Sequence, residues 1–373
     1  MQSMKKTLIL LIGCLLITAC GQKTEKKNSE EEEVASKQWL TFNSKNTEAK
    51  HVVLISGDEE YRSEEALPQL AKILSAKHGF RCTVLFAQDP LKPGIINANY
   101  VKNIPGLDAL DSADLMVIFT RFRALPDDQM KFIDNYLKRG KPVIGIRTAT
   151  HAFNFSADSD SDYKHYSNGY EGEKKEWVDG FGRLVLGEKW ISHHGHHKHQ
   201  STRGIVSAKG KTHPITNGIE DGDIWGPTDV YGVRLPLPGN SEPIILGEVT
   251  ERKADFDEED LFYGMRPADT IPATKIDNGD LLNDPMMPIA WTKSYQIPGG
   301  NEGKVFTTTI GAATDMLNEG VRRLLVNSFF WCMDMKVPAK ADVGIVGDFE
   351  PTAYEFRDDD YWLKRQLKVE DFK

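Results

Sequence analysis

From His51 onward, short apolar runs alternate with longer amphipathic stretches, which is how a parallel sheet covered by helices reads in sequence. "HVVLIS" predicts a first strand, "SEEALPQLAKILSAKHG" a helix and "CTVLFA" a second strand. "ADLMVIF" predicts a third strand, "LPDDQMKFIDNYLKRG" a helix opened near Pro126 and closed at Gly140, and "KPVIGIR" a fourth strand. Ser63 stands before Glu64, Glu65 and Ala66 as a hydroxyl N-cap. Pro68 falls in about the first turn, where a missing amide hydrogen matters little. After Phe155 the polar, turn-rich "SADSDSDYKHYSNGYEGEKK" predicts a long loop or lid. Regular elements return with "WVDGFGRLVLG", "KWIS", "TRGIVSA", "PIILGEV", "MPIAWTKSY" and "KVFTTTIG". The helix "EGVRRLLVNSFFWCMDM" then closes the body, with Val321, Leu324, Leu325, Ser328 and Phe329 at helical spacing. After Pro338 the pattern is irregular, but its aromatics predict a tail that packs back on the body.

This order makes Ile55, Phe119 and Ile146 mark the carboxyl ends of strands, and ligands of open α/β sheets collect outside those ends. Three segments become candidate site walls on position alone: "SGDEEYRSEE", "TRFRALP" and "RTATHAFNF".

The first twenty residues stand apart. "MKKTLILLIGCLLITAC" has two lysines, an apolar stretch from Leu8 to Ile17 and small residues before Cys20, a bacterial-type secretion signal with a lipobox. The stretch is too short to span a bilayer comfortably, so the expectation is a signal peptide over residues 1–19 and acylation (palmitate) of Cys20. Residues 20–47 are charged and poor in large apolar groups, and predict a flexible acidic tether. The expected body then covers residues 48–337 and the packed tail 338–373, at the cell envelope and anchored to the membrane by lipid.

The net charge of −9 becomes more negative once Lys5 and Lys6 leave with the signal, which disfavours a nucleic-acid partner. Cys82 and Cys332 each sit among apolar residues, where buried free thiols are the usual outcome. No CxxC motif is present.

"KPVIGIRTATHAF" carries the most chemical information. A buried strand ends in a turn that presents Arg147, Thr148, Thr150 and His151 at the top of the sheet, as nucleophile elbows do. Arginine at the apex cannot attack; it holds negative charge or donates hydrogen bonds.

At these residues the chain resembles the ThuA-like (trehalose-utilisation) family. The resemblance rests on "GIRTATHAF", "FGRLVLGEKWISHHG", "HPITNGI", "PIAWTKSY" and "VFTTTIGAATDMLNEGVRRLLVNSFFW" and covers roughly His51 to Met335. It implies an α/β fold, a flavodoxin-like/class I glutamine amidotransferase-like parallel sheet sandwiched by helices, with long loop insertions. The amidotransferase pattern G-I-C is replaced by Gly145, Ile146 and Arg147, and Gly311 is followed by Ala312 where many members have histidine. Cysteine-dependent amide chemistry is therefore not expected. The resemblance further implies carbohydrate metabolism beside sugar dehydrogenases that make 3-keto glycosides. A 3-keto group acidifies the C2 proton, so a base, an electrophile and an acid suffice for acid/base cleavage, by a lyase or a hydrolase. His151 or a cluster histidine (His193, His194) is the candidate base, Arg147 or a bound metal the electrophile, and Glu59 or Glu60 the acid.

"WISHHGHHKHQ" holds five of the ten histidines. Gly195 and the local composition favour extended or turn structure, which puts His194 and His196 on one face and His193 and His197 on the other. Three roles stay open: a divalent metal site (zinc or similar) on His194, His196 and His197, with "SADSDSD" carboxylates as further ligands; hydrogen bonding to sugar hydroxyls; or a solvated loop. The substrate-binding candidates are Glu59, Tyr61, Arg62, Arg121, Thr148, Asp223, Trp225, Asp229 and Tyr231, a mixture of aromatic area and orienting polar groups suited to a small carbohydrate or glycoside. The competing classes are a non-catalytic sugar-binding lipoprotein and a histidine-ligated metal-dependent hydrolase.

Overall fold

Seven consecutive buried residues form β2 (His51–Gly57), covered on both faces as a central parallel strand must be. In the computed structural model, which describes residues 38–274 and 281–373, it pairs in parallel with β3 (Arg81–Phe86) and β4 (Leu115–Thr120). Parallel pairing continues through β5 (Val143–Ile146) to β10 (Gly303–Thr308). Alternate residues feed opposite cores, as a period of two requires. Val52, Leu54, Val117 and Ile144 pack with α1 (Ser63–His78) and α3 (Glu319–Cys332). Val53, Ile55, Met116 and Val143 pack with α2 (Asp127–Lys138) and with Phe153, Tyr166, Trp177 and Phe181 of the long segment after β5.

The sheet is mixed, not wholly parallel. β1 (Trp39–Phe42) adds antiparallel to β3. Beyond β10, β9 (Met287–Tyr295), β8 (Glu242–Glu251), β6 (Gln200–Val206) and β7 (Trp225–Gly226) continue antiparallel in that spatial order. β1 lies inside the stretch read as tether; four residues with one buried apolar side chain, Leu40, give too short a pattern to be seen beside polar sequence. The signal peptide, Cys20 and the tether as far as residue 37 lie outside the described residues. "KWIS" is irregular, and "WVDGFGRLVLG" contains a single π-helical turn, Gly182–Leu186.

The ends of α1 show how local chemistry sets the elements. Gly79, at φ 71°, closes the helix while the amides of Gly79 and Phe80 satisfy Ser75 and Leu74. Ser63 is the first helical residue rather than the cap; its hydroxyl accepts from the Asp58 amide (3.1 Å) and bonds Ser56 Oγ (2.8 Å), shaping the β2–α1 turn. Cys82 and Cys332 are buried and free. Among the described residues, no helix is long and apolar enough to cross a membrane.

The C-terminal segment lies against α1 and the core. Tyr354 and Trp362, the latter on α4 (Asp359–Arg365), are buried, and Glu65 of α1 accepts from the Thr352 amide (2.8 Å) and pairs with Arg365 (3.1 Å). Trp362→Ala is expected to cost about 3–5 kcal/mol, read as a lower urea midpoint of the single unfolding transition. An unchanged midpoint would mean that the tail is no part of the cooperative unit.

Candidate active site

β5 ends at Ile146, and Arg147 turns the chain with φ 47°, a left-handed conformation that costs a non-glycine residue about 1–2 kcal/mol. Close packing below the turn needs Gly145, because a Cβ there would sit 2.7 Å from Leu186 Cδ1. The Arg147 side chain is fully buried between two rings, its guanidinium carbon 4.3 Å from the Tyr61 centroid and 3.9 Å from Tyr231. Nη1 donates to the carbonyls of Asp229 (2.7 Å) and Thr309 (2.5 Å), and Nη2 to Asp229 Oδ1 (3.0 Å) and Tyr61 Oη (3.1 Å). These donors face protein, so Arg147 anchors charge beneath the site and does not reach a substrate.

Asp229 carries that charge upward. Its Oδ2 lies 2.6 Å from His193 Nδ1 and its Oδ1 3.0 Å from His197 Nδ1. Burial alone would raise its pKa, but Arg147 and the two histidines hold it far below the ordinary carboxylate range. An ionised Asp229 accepts Nδ1–H from both rings, which leaves each Nε2 as the functional nitrogen. Burial works against protonation of His193, yet the bond to Asp229 and its charge win, and the pKa rises above 6.5. The His193 side chain is 39% exposed, enough to meet a ligand.

The third group comes from the turn after β2. Asp58 Oδ1 accepts the amides of Glu60 (2.9 Å) and Tyr61, while Oδ2 accepts from Thr148 Oγ1 (2.7 Å). This ties the β2 turn to the β5 turn and sets Glu60 Oε1 3.5 Å from His197 Nε2. Burial first, then the charge of Asp58, raises the Glu60 carboxyl to about 7, against the pull of Arg121 and Arg147. A buried carboxyl that exchanges its proton near neutrality thus stands across from an aspartate-oriented histidine.

Of the residues chosen from sequence, Glu60, Tyr61, Arg147, Thr148, His193, His197, Asp229 and Tyr231 come together. Arg121 borders them: it pairs with Glu59 (2.5 Å) and lies 4.0 Å from Glu60. Others take different places. Both oxygens of Glu59 are bound to Arg121 and Arg123 (2.6 Å), so it fixes arginines rather than acting as an acid. Arg62 is buried and donates to Glu355 O (2.9 Å) and Thr352 Oγ1 (3.2 Å), holding the tail. His151 lies within the site but is buried against Phe122 and Trp190, and burial with the charges of Arg121, Arg147 and His193 keeps its pKa well below 6.5. Asp223 caps a turn through the Glu220 amide (2.8 Å), and Trp225 is core, donating to Ser201.

The histidine cluster splits. The amide of His194 and that of Gly232 tie residues 192–194 to 230–232, and a turn at His196, whose carbonyl accepts from His199 and Gln200, brings His197 back beside His193. His196 stacks instead on His199, and His199 on Phe256. Among the described residues, the group that offers ligand atoms within 4.8 Å of one another is therefore His193, His197 and Asp229, not His194, His196 and His197. The "SADSDSD" segment binds the start of α2, Ser161 Oγ to Asp127 (2.5 Å), away from the histidines. Sequence reasoning passed over Asp58, although it stands directly after the first strand, and the tail residue Tyr354, whose ring stacks on Tyr61 at 5.4 Å and meets His197 edge-on at 5.4 Å. A cavity of about 450 Å³ lined by Asp134, Lys138, Asp162, Tyr163, His165 and Trp177 shares no residue with the group around Arg147 and Asp229.

Residues 51–332 match the family model described as ThuA: Trehalose utilisation. The chain is similar in structure to a protein described as ThuA-like from Parabacteroides merdae ATCC 43184, at 16% identity and TM-score 0.44, covering 83% of this chain and 98% of that one. A second, described in the same words and from Bacteroides uniformis ATCC 8492, has 13% identity and TM-score 0.41 over 78% of this chain and 94% of that one. An exo-beta-1,4-mannosidase from Opitutaceae bacterium strain TAV5 has 9% identity and TM-score 0.26 over 76% of this chain and 36% of that one. No curated protein matches.

In Asp229→Asn the anion that holds the His193 pKa up is gone while burial, which pushes it down, remains. The His193 titration midpoint followed by NMR is expected to fall below its native value; a midpoint that stays or rises would sink the assigned role of Asp229.

Proposed function

The chain belongs to the ThuA (trehalose utilisation) family, and from that premise we propose that it is a carbohydrate-active protein that cleaves oxidised (3-keto) glycosides by acid/base chemistry. The single observation that carries this reading is the pair His193 and His197, both oriented by Asp229, with Glu60 3.5 Å from His197 and its carboxyl raised to about 7. Two titratable groups whose surroundings suit them to opposite tasks are what an acid/base site needs. His193 Nε2 takes the C2 proton that the neighbouring carbonyl has acidified. His197, beside it, turns its Nε2 toward Glu60 Oε1 at 3.5 Å and keeps that carboxyl facing the histidine pair. The C–H electron pair becomes the C1–C2 double bond as the C1–O bond breaks, and Glu60 gives its proton to the leaving oxygen. The products are an unsaturated keto sugar and an alcohol; proton return from His193 to Glu60 resets the site. The reaction that supplies the substrate is oxidation of a sugar 3-hydroxyl by a dehydrogenase.

The left-handed residue after β5 supports the class I glutamine amidotransferase-like assignment of the fold, with arginine in place of the nucleophile. Cys20 and the apolar stretch before it support a lipid anchor that holds the body at the cell envelope. A metal-dependent hydrolase is the second reading, favoured by the grouping of His193, His197 and Asp229. The residues fit a cation only in part: Arg147 already donates to Asp229 Oδ1, so an ion would be held through the imidazoles with the aspartate behind them. Such an ion would polarise a carbonyl or activate water.

Cleavage needs Glu60 protonated and His193 unprotonated. The rate should fall above about pH 7 as Glu60 ionises and fall at lower pH as His193 gains its proton. Because the His193 pKa is raised, the limbs approach each other and the bell is narrow. Glu60→Gln is expected to lower kcat by about 10²–10⁴ and to erase the alkaline limb; an unchanged rate and limb would remove Glu60 from the mechanism. Product-free tight binding of keto glycosides by the purified protein would favour a sugar-binding role instead. Full turnover by dialysed, chelator-treated protein that elemental analysis finds metal-free is the expected result for acid/base cleavage. Activity that disappears with the metal and returns with zinc would establish the second reading.

A further inference from the structure

The family match ends at residue 332, yet the crevice has a wall made after that point. The tail crosses the turn that carries Glu60: the Glu355 amide donates to Glu60 O (2.9 Å), and Arg62 Nη2 donates to Glu355 O (2.9 Å). Tyr354, fully buried, is pinned through its hydroxyl to Pro227 O (3.0 Å) and through its carbonyl by Tyr263. On the other side, Asn99 donates to Arg357 O (3.0 Å), and Arg357 pairs with Glu355 (2.9 Å). Between these fixed points stands Phe356, a large apolar side chain with 51% of its surface exposed.

An exposed phenylalanine is ordinary by itself. This one is held in place, and its setting is specific. The Arg121 guanidinium lies 4.7 Å from its ring centroid and 4.6 Å from that of Phe122, so the cation is layered between two aromatics. The same guanidinium is fixed by Glu59 and lies 4.0 Å from Glu60, the group assigned to protonate the leaving oxygen. Phe122 continues the wall to His151 (5.0 Å), and His151 to Trp190 (5.5 Å). The exposed ring is therefore joined to Glu60 through Arg121 and through the Glu355 amide next to it in the chain, while the buried rings behind Phe122 lead on from Trp190 to His193 (5.9 Å).

We infer that Phe356, backed by Arg121, forms the subsite for the leaving-group sugar ring, and that the ligand is a disaccharide or longer glycoside. The apolar C–H face of a pyranose stacks on the free part of the Phe356 ring, which places the glycosidic oxygen beside Glu60. This rests on the reading of the crevice as a glycoside-cleaving site. It goes beyond that reading by giving the tail a part in choosing the substrate.

The test compares wild type, Phe356→Ala and Phe356→Trp on 3-keto derivatives of a panel of glucose disaccharides and on methyl 3-keto-glucoside, which lacks a leaving ring. Binding of the unoxidised sugars is followed in parallel by calorimetry. Phe356→Ala is expected to raise KM for the preferred disaccharide about tenfold, to leave the methyl glycoside unchanged and to keep the wild-type melting temperature, while Phe356→Trp retains the disaccharide KM. Equal effects on both substrates, or none on either, overturn the subsite while leaving cleavage intact. Absent turnover with disaccharide binding that Phe356→Ala weakens would sink cleavage and keep the subsite. Neither turnover nor binding of any of these sugars would overturn both.

Discussion

A guanidinium and a carboxylate, both without solvent contact, have to neutralise each other. The Arg147–Asp229 pair is the constraint around which the site is arranged. Burying either charge alone would cost several kcal/mol, and removing one partner of such a pair typically costs about 3–5 kcal/mol because the other is left unmatched. The pair therefore fixes the turn after β5 against the segment before Tyr231, two parts of the chain 82 residues apart. Tyr61 and Tyr231 close over the guanidinium, so the β2 turn is drawn into the same arrangement. The turn after β5 thus presents a charge held inside the protein, and the groups that this charge orients, His193 and His197, lie beyond it.

The displacement explains why two carboxyls of one crevice differ so much. Asp229 accepts from a guanidinium and two imidazoles, and every one of those bonds favours its anion. Glu60 is also buried but lies near Asp58, whose oxygens are committed to the Glu60 and Tyr61 amides and to Thr148. Burial first, and then a second anion so near, disfavour ionisation, and the proton stays on Glu60 until about pH 7. Asp58 thus shapes the turn and sets its electrostatics at once.

Much of the fold was legible because local signals agreed with it. Strands β2 to β5 and helices α1 and α2 follow from apolar runs and helical spacing, each with turn residues at its ends. The antiparallel half was legible as strands but not as an arrangement, since the β8–β9 and β6–β8 pairings join distant segments and no local pattern encodes which edge meets which. The site divides in the same way. Alternation along an extended chain puts His193 and His197 on one face, and they do meet, but the aspartate that unites them is 36 and 32 residues away. A metal set of His194, His196 and His197 fails because the turn at His196 sends that ring to His199 and Phe256. Arg147 read as a ligand-facing electrophile because position was legible and depth was not; its Nη1 and Nη2 donors are spent inside the protein.

Preorganisation is where stability and chemistry meet in this molecule. The turn from Asp58 to Arg62 holds the assigned acid, and three separate parts of the chain restrain it: Thr148 from the β5 turn, Arg121 from the end of β4, and the Glu355 amide from the tail. A carboxyl free to swing would reach water and return to an ordinary titration range. Held here, it keeps both its burial and its acidic neighbour, and so keeps a proton to give. The left-handed residues Arg62 and Arg147, each costing about 1–2 kcal/mol, are tolerated because both side chains are locked by several hydrogen bonds. Backbone strain at the two turns is thus offset by the same contacts that position Glu60 and Asp229, and neither turn could relax without moving one of these two carboxyls.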